Sequence, residues 1–227
     1  MLYGIQNMPS LYIDPLDKGI GTKLRNLEPT RGYCVFVDIV GSTKLKDSSL
    51  ERWVLLIHNT FANIKSHLSS SWPPMKCIGD ALMFFIPDNP IDNYETSLHL
   101  FANLYSIVTN NKSKWLRRIK VSVVRCMNSY AISFIKNAED VYGKDIDLAA
   151  RLLELAGENE IILNDIFYNK LLNAYNRLNP RHKHPFKPLI HKLVGPWFVN
   201  LKGFKEPTCI YKLPNLSAHL VEKSDVY

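Results

Sequence analysis

Hydrophobic positions along the chain change period several times, and each change marks an element. The unbroken apolar run Val35-Phe36-Val37 predicts a strand buried on both faces, leading into Asp38 and a small-residue turn with Gly41, Ser42 and Thr43. After Ser49, the residues Leu50, Trp53, Val54, Ile57, Phe61 and Ile64 recur at spacings of three and four, which predicts an amphipathic helix. Trp72-Pro73-Pro74 ends it, and a hairpin follows from Met75 through a Gly79-Asp80 turn into the apolar strand Ala81 to Ile86. Ile91 to Val108 reads as a second helix, with Leu98, Phe101, Leu104, Tyr105 and Val108 on one side, and a basic loop comes next.

Two further strands are predicted over Ile119 to Val124 and Tyr130 to Ile135, joined by a short polar connection from Arg125 to Ser129. Tyr142-Gly143-Lys144 turns into a helix carrying Ile146, Leu148, Ala149, Leu152, Leu153 and Leu155 and ended by Gly157. Glu160 to Leu163 reads as a short strand, Asp165 to Arg177 as a helix, and Asn179 to Leu189 as a surface loop. Two last strands, Trp197 to Leu201 and Thr208 to Leu213, flank Lys202-Gly203-Phe204. Strands, helices and hairpins in this order give an α+β fold with a sheet covered by helices. Residues 1–31 show no sustained period and read as a lead-in, and no internal repeat is visible.

Composition narrows the class. With 227 residues and 46% apolar content the chain is long enough to bury one sizeable core, so one domain is expected. The 28 Lys and Arg against 21 Asp and Glu leave +7, with basic clusters at Lys112 to Lys120 and Arg181 to Lys192. That excess suits a nucleoside triphosphate, a nucleic acid or an anionic membrane surface, and charge does not choose among them. Cys34, Cys77, Cys126 and Cys209 lie far apart in apolar runs and read as buried, reduced thiols, which fits the cytosol. No apolar run reaches the ~20 residues of a membrane span, and Met1 to Ile20 lacks the pattern of a signal peptide, so a cytoplasmic protein with no membrane association is expected.

Asp38 carries the chemistry. An ionisable group at the end of a buried strand is costly without a cation or a partner, and Asp80, at the Gly79 turn before another apolar strand, repeats the arrangement. Two carboxylates on neighbouring strand ends can share divalent metal. A lone aspartate after a strand is more often a turn former, and Ser42-Thr43 could simply cap a turn; the pairing is what raises the metal reading. Asp147 and Arg151, four apart, share one helix face, with an ordinary surface salt bridge as the plain alternative. His182, His184 and His191 read as a solvated loop, and Tyr94, Phe101 and Tyr105 as core rather than a stacking platform, so no nucleic-acid partner is expected.

Four stretches, FVDIVGSTKL, KCIGDALMFF, DVYGKDIDLAARL and LKGFKEPTCIY, resemble in order and spacing the motifs of the class III nucleotidyl cyclase catalytic domain. The resemblance covers residues 32–213, leaving 1–31 as lead-in and 214–227 as a C-terminal tail. It implies a ferredoxin-like, mostly antiparallel sheet covered by helices. It also implies a head-to-tail homodimer in which each composite site takes metal ligands from one chain and base and transition-state groups from the other. Asp38 and Asp80 resemble the two metal-binding aspartates, with the Ile39 carbonyl as a further ligand, two Mg²⁺ or Mn²⁺ ions as cofactors, and the amides of Gly41, Ser42 and Thr43 near the phosphates. Arg151 resembles the arginine that stabilises the α-phosphate. Lys202 resembles the lysine on the terminal phosphates, with Lys205 as its alternative. Asp147 stands where the family usually places a ribose-orienting asparagine. A further strand-end arginine of many relatives has no clear match here, Arg125 being near the place but displaced.

Base choice stays open. Lys76 and Asp140 match the positions that read adenine in adenylate cyclases, yet cytosine shows the same edge and uracil fits if the ring shifts. The stand-alone format resembles the pyrimidine cyclases of bacterial anti-phage Pycsar systems. That resemblance implies UTP or CTP as substrate, cyclic UMP or cyclic CMP as product, and a separate effector activated by it. A pyrimidine cyclase must also block a purine's second ring sterically, and Tyr142, two residues after Asp140, is the candidate, with packing of the turn as the plain alternative. An adenylate cyclase is the alternative. A non-catalytic nucleotide-binding module, kept alive by Asp147, is the second.

Overall fold

The computed structural model describes residues 10–14, 16–68, 72–88, 95–109, 118–178 and 187–215. In chain order the elements are β1 (Leu11–Tyr12), α1 (Ile20–Arg25), β2 (Thr30–Ile39), α2 (Ser42–Ser48), α3 (Leu50–His67), β3 (Lys76–Ile78), β4 (Ala81–Pro87), α4 (Glu95–Thr109), β5 (Ile119–Ser133), β6 (Val141–Tyr142), α5 (Lys144–Leu155), β7 (Ile161–Asn164), α6 (Asp165–Arg177), α7 (Lys187–Ile190), β8 (Val194–Val199) and β9 (Thr208–Leu213). The sheet runs β3-β4-β2-β5-β7-β9-β8. Its pairs are antiparallel except β5 with β7, and the two-residue β1 also joins β5 in parallel. This is the expected mixed α+β, mostly antiparallel architecture.

Strand β2 sits between β4 and β5 and buries both faces, because its side chains alternate between two apolar layers. Tyr33, Val35, Val37 and Ile39 enter a core shared with α3, α4 and α6. Cys34 and Phe36 enter a second core on the other face, under α5. Burial this complete on both sides leaves little freedom in register, and a slip of one residue would exchange the two layers.

Several elements differ from the sequence reading. The polar stretch from Arg125 to Ser129 is not a connection, since β5 continues through it as one strand to Ser133. Arg125 is only 6% exposed. Its guanidinium donates to the carbonyls of Gly32 at 2.8 Å and Cys126 at 3.2 Å, pairs with Asp88, and stacks 4.9 Å from the Tyr33 ring. A cation satisfied this fully stays inside a sheet. The lead-in is not featureless, because β1 extends the sheet and α1 follows it. Ser42 and Thr43 open a short helix, α2, instead of capping a turn.

Helix α3 forms where expected, with Ser49 as its N-cap accepting from the Arg52 amide, but Leu50 and Val54 stay exposed because only its later turns, from Ile57 on, meet the core. Cys77 is exposed because β3 is a three-residue edge strand, whereas Cys34 and Cys126 are buried and Cys209 partly so. All four are free thiols. The predicted loop to Leu189 contains α7, whose Leu189 and Ile190 are buried. His182, His184, Tyr94, the basic stretch 112–117 and most of the tail lie outside the described residues. No helix among the described residues is long and apolar enough to cross a membrane.

Candidate active site

Asp38 is the last residue of β2 but one, and it pairs in register with Ala81 on one side and Lys120 on the other. Asp80 occupies the two-residue Gly79-Asp80 turn between β3 and β4, one position before Ala81. The ladder itself therefore brings the two carboxylates to the same end of the sheet. Past Ile39 the chain turns sharply, which requires a left-handed residue at Gly41 (φ 71°), and enters α2 at Ser42. The buried Ser42 hydroxyl donates to Asp80, tying the start of α2 to the β3–β4 turn.

These parts line one cavity of about 410 Å³, in the size range of small-ligand sites. Asp38, Ile39, Gly41, Ser42, Thr43 and Asp80 all face it, so six of the eight metal and phosphate positions named from the sequence are together, and Arg151 and Lys202 are not among them. Lys120 and Glu158 face it too, and the sequence reading missed both. Lys120 Nζ lies 3.0 Å from Asp38 Oδ2. Only the strand register places them opposite each other, and register is not legible in a single sequence. Glu158 sits just after α5, where it pairs with Arg118.

Three carboxylates and one ammonium give the cavity a net negative lining, which suits divalent cations. Among the described residues, no group of three or more His, Cys, Asp and Glu side chains is placed to hold a metal by itself. The donor set is instead two carboxylates, a strand-end carbonyl and a hydroxyl. Oxygen donors in that number fit Mg²⁺ or Mn²⁺, which bind through one or two carboxylates and complete their shells with water and substrate phosphate. The residues present therefore fit the group.

A second cluster forms at Lys76 and Asp140. Lys76 Nζ donates to Asp140 Oδ1 at 2.7 Å and stands 5.3 Å from the Tyr142 ring centre. The Val141 amide donates to the same oxygen at 2.8 Å. Burial pushes the Tyr142 phenol above its ordinary value, and the neighbouring Asp140 carboxylate pushes it further. The Phe134 ring meets Tyr142 edge-on at 5.4 Å.

The remaining named residues join neither cluster. Asp147 and Arg151 lie on α5, whose first residue, Lys144, sits 5.3 Å from the Phe204 ring in the loop that carries Lys202. The residues after the last turn of α5, Ala156 to Glu158, line the metal-type cavity. Asp147 is thus about 14 Å along the helix axis from that cavity, at ~1.5 Å per residue. Arg151 does not neutralise Asp147 as one sequence alternative had it, but pairs with Glu154 at 2.9 Å. Lys202 and Lys205 are both exposed.

No family model matches the chain, and no curated protein matches it. Solved structures do. The adenylyl cyclase CyaB from P. aeruginosa superposes with a TM-score of 0.63 at 17% identity, over 82% of this chain and 95% of that one. This chain has the class III nucleotidyl cyclase fold. Adenylate cyclases from Trypanosoma brucei, determined in their monomeric state, give 0.62 at 13% identity over 82% and 91% of the two chains. The guanylate cyclase domain of RhGC from Catenaria anguillulae, in complex with GTP, gives 0.60 at 13% over 81% and 95%. Adenylyl and guanylyl cyclases thus lie at similar distances from it.

Proposed function

We propose that the chain is a metal-dependent nucleotidyl cyclase that converts a nucleoside triphosphate to a 3′,5′-cyclic nucleotide and pyrophosphate. The observation that carries this reading is the single cavity uniting Asp38, Asp80, Ser42 and the Gly41 turn on a cyclase fold. Asp38, Asp80 and the Ile39 carbonyl hold two divalent ions, Mg²⁺ or Mn²⁺, which when bound lower the pKa of the ribose 3′-hydroxyl and offset charge on the leaving pyrophosphate. The amides of Gly41 to Thr43 line the phosphate side of the cavity.

Groups for the α-phosphate come from a second copy. Within one chain Asp147 lies a helix length from the metal cavity and Arg151 pairs with an exposed glutamate, so neither completes the site where it stands. In a head-to-tail homodimer, Arg151 of the partner subunit places its fork of donors on the α-phosphate, and Lys202 of the partner subunit takes the terminal phosphates. Asp147 of the partner subunit accepts from a ribose hydroxyl.

The substrate we propose is UTP or CTP, made into a second messenger for a separate effector in anti-phage defence in the cytoplasm. Tyr142 supports it. Its ring lies 5.3 Å from the Lys76 ammonium, close to the proposed base-reading pair, and its role there is to block the second ring of a purine. The adenylate cyclase alternative has its own support, because the Lys76 and Asp140 pair offers a donor and an acceptor that match adenine as well as cytosine. Incubation with each of the four nucleoside triphosphates and Mn²⁺, followed by chromatography, tests both. Cyclic UMP or cyclic CMP with pyrophosphate is expected. Preference for ATP replaces the pyrimidine reading with the adenylate one, and no product from any substrate overturns the cyclase reading in favour of a binding module.

A further inference from the structure

The β2–β5 ladder breaks once, between the pairs Gly32 with Cys126 and Thr30 with Ser129. One residue of β2, Arg31, there faces two of β5, Met127 and Asn128, which is a β-bulge. A bulge frees backbone N–H groups from the ladder, and here one side chain takes both. The Oδ2 atom of Asp145, in the first turn of α5, accepts from the amides of Met127 and Asn128, each at 2.7 Å. Two successive amides aimed at one carboxylate oxygen form a charge-assisted clamp. Gly143 closes the same junction from the other side. A Cβ there would lie 2.5 Å from the Asn128 carbonyl oxygen, and its φ of 144° excludes other residues independently.

The bulge divides β5 by what each half carries. Before it, Ile119 to Cys126 pairs with β2 and holds Lys120 against Asp38. After it, Tyr130 and Ala131 pair with β6, and the Ile132 amide donates to the Asp140 carbonyl. The helix that bears Asp147 and Arg151 starts from this junction as well. We infer that Asp145 is a positioning residue. By fixing the bulge against the first turn of α5 it sets where Asp140, Asp147 and Arg151 stand relative to the sheet, whereas Asp38 and Asp80 are held by the β2–β4 ladder and the β3–β4 turn. This rests on the cyclase reading above. A displacement of about 1 Å in such groups costs on the order of a hundredfold in rate.

Full-length Asp145→Ala, Asp145→Asn and the unmutated chain, compared by steady-state kinetics, provide the test. Asp145→Ala is expected to lose on the order of a hundredfold in kcat with little change in metal dependence. Asp145→Asn, whose carbonyl oxygen still accepts from both amides, recovers most of that loss. Mixing supplies a readout that general destabilisation would not move. Asp145→Ala should regain activity with Asp38→Ala, which donates an intact α5, and not with Arg151→Ala. Should Asp145→Ala fail to fold, Asp145→Ser, too short to span both amides, carries the same comparison.

Turnover by Asp145→Ala within about threefold of the unmutated chain overturns the inference, as does restoration by Arg151→Ala. Absence of product from the unmutated chain is instead a failure of the cyclase reading. Amide exchange then decides the clamp alone: Met127 and Asn128 lose protection in Asp145→Ala and keep it in Asp145→Asn if the inference holds, and behave alike in both if it does not.

Discussion

Lys120 and Asp38 face each other across the β2–β5 ladder, 3.0 Å from Nζ to Oδ2, so the carboxylate proposed to bind metal is held by an ammonium of the same chain. The two compete for one site of charge. Pairs this accessible are worth about 1 kcal/mol or less, which is up to roughly fivefold in affinity. Lys120→Ala is therefore expected to bind Mn²⁺ more tightly in the absence of nucleotide, by up to about fivefold, measured by electron paramagnetic resonance of free Mn²⁺. Unchanged or weaker binding would show that Lys120 does not compete with metal at Asp38.

Asp38→Ala and Asp80→Ala are each expected to lower turnover by two to three orders of magnitude, about the scale of removing one preorganised group that stabilises transition-state charge. Neither carboxylate lies in the apolar cores, so the circular dichroism should stay close to that of the unmutated chain, while Asp80→Ala, which strands the buried Ser42 hydroxyl, should lower the melting temperature. Near-normal turnover in either variant would exclude the assignment.

That Asp38 and Asp80 belong together was legible in the sequence, and the groups that face them in the cavity were not, for identifiable reasons. Asp38 and Asp80 stand out because one ends an apolar run before a small-residue turn and the other sits in the turn that opens an apolar strand, a local pattern that survives without knowledge of pairing. Lys120 and Glu158 become site residues only through the register of β5 against β2 and the direction of α5, both long-range properties. Arg125 misled because a cation inside a strand reads as a break unless its partners are known, and those partners, Asp88 and the Gly32 carbonyl, lie far away in sequence. The bulge at Met127 and Asn128 was hidden by the same polar stretch, and with it the role of Asp145.

Composite sites predict complementation. Asp38→Ala keeps an intact α5, and Arg151→Ala keeps an intact metal cavity, so mixing the two inactive proteins should return activity through one good site per heterodimer. Sedimentation or native mass spectrometry must show that subunits exchange. Exchange without recovered activity would mean that each chain builds its site alone.

The thiols offer a check on burial that needs no substrate. Cys77 is exposed and should react first with a disulfide reagent in the native protein. Burial raises the Cys34 thiol well up, and its hydrogen bond with Cys126 adds to that, so it should react only on unfolding. Burial and the charge of Asp165 also raise Cys209, which leaves less thiolate at a given pH, so its reaction should be slower than that of Cys77 and accelerate as pH rises. Fast labelling of Cys34 in the native state would contradict the packing of the core under α5.

Base selection follows from a pair that is already satisfied. Lys76 and Asp140 hold each other at 2.7 Å, with the Val141 amide also on Asp140, so a base gains only the difference between its hydrogen bonds and those it replaces. Each polar contact of this kind discriminates by about 1–3 kcal/mol, and removing Lys76 or Asp140 should blur selection among the bases by that amount. Hydrogen bonds alone do not reject a purine, because adenine presents the same edge as cytosine with a second ring behind it. On the proposed pyrimidine reading rejection has to be steric, and the Tyr142 ring, which meets Phe134 edge-on and lies near the Lys76 ammonium, is the group proposed to provide it. In equal-concentration competition the unmutated chain should turn over UTP or CTP well ahead of ATP and GTP, and Tyr142→Ala should raise the purine share by about tenfold, the equivalent of ~1.4 kcal/mol of relieved clash. A purine share that stays the same in Tyr142→Ala would place the barrier elsewhere in the pocket.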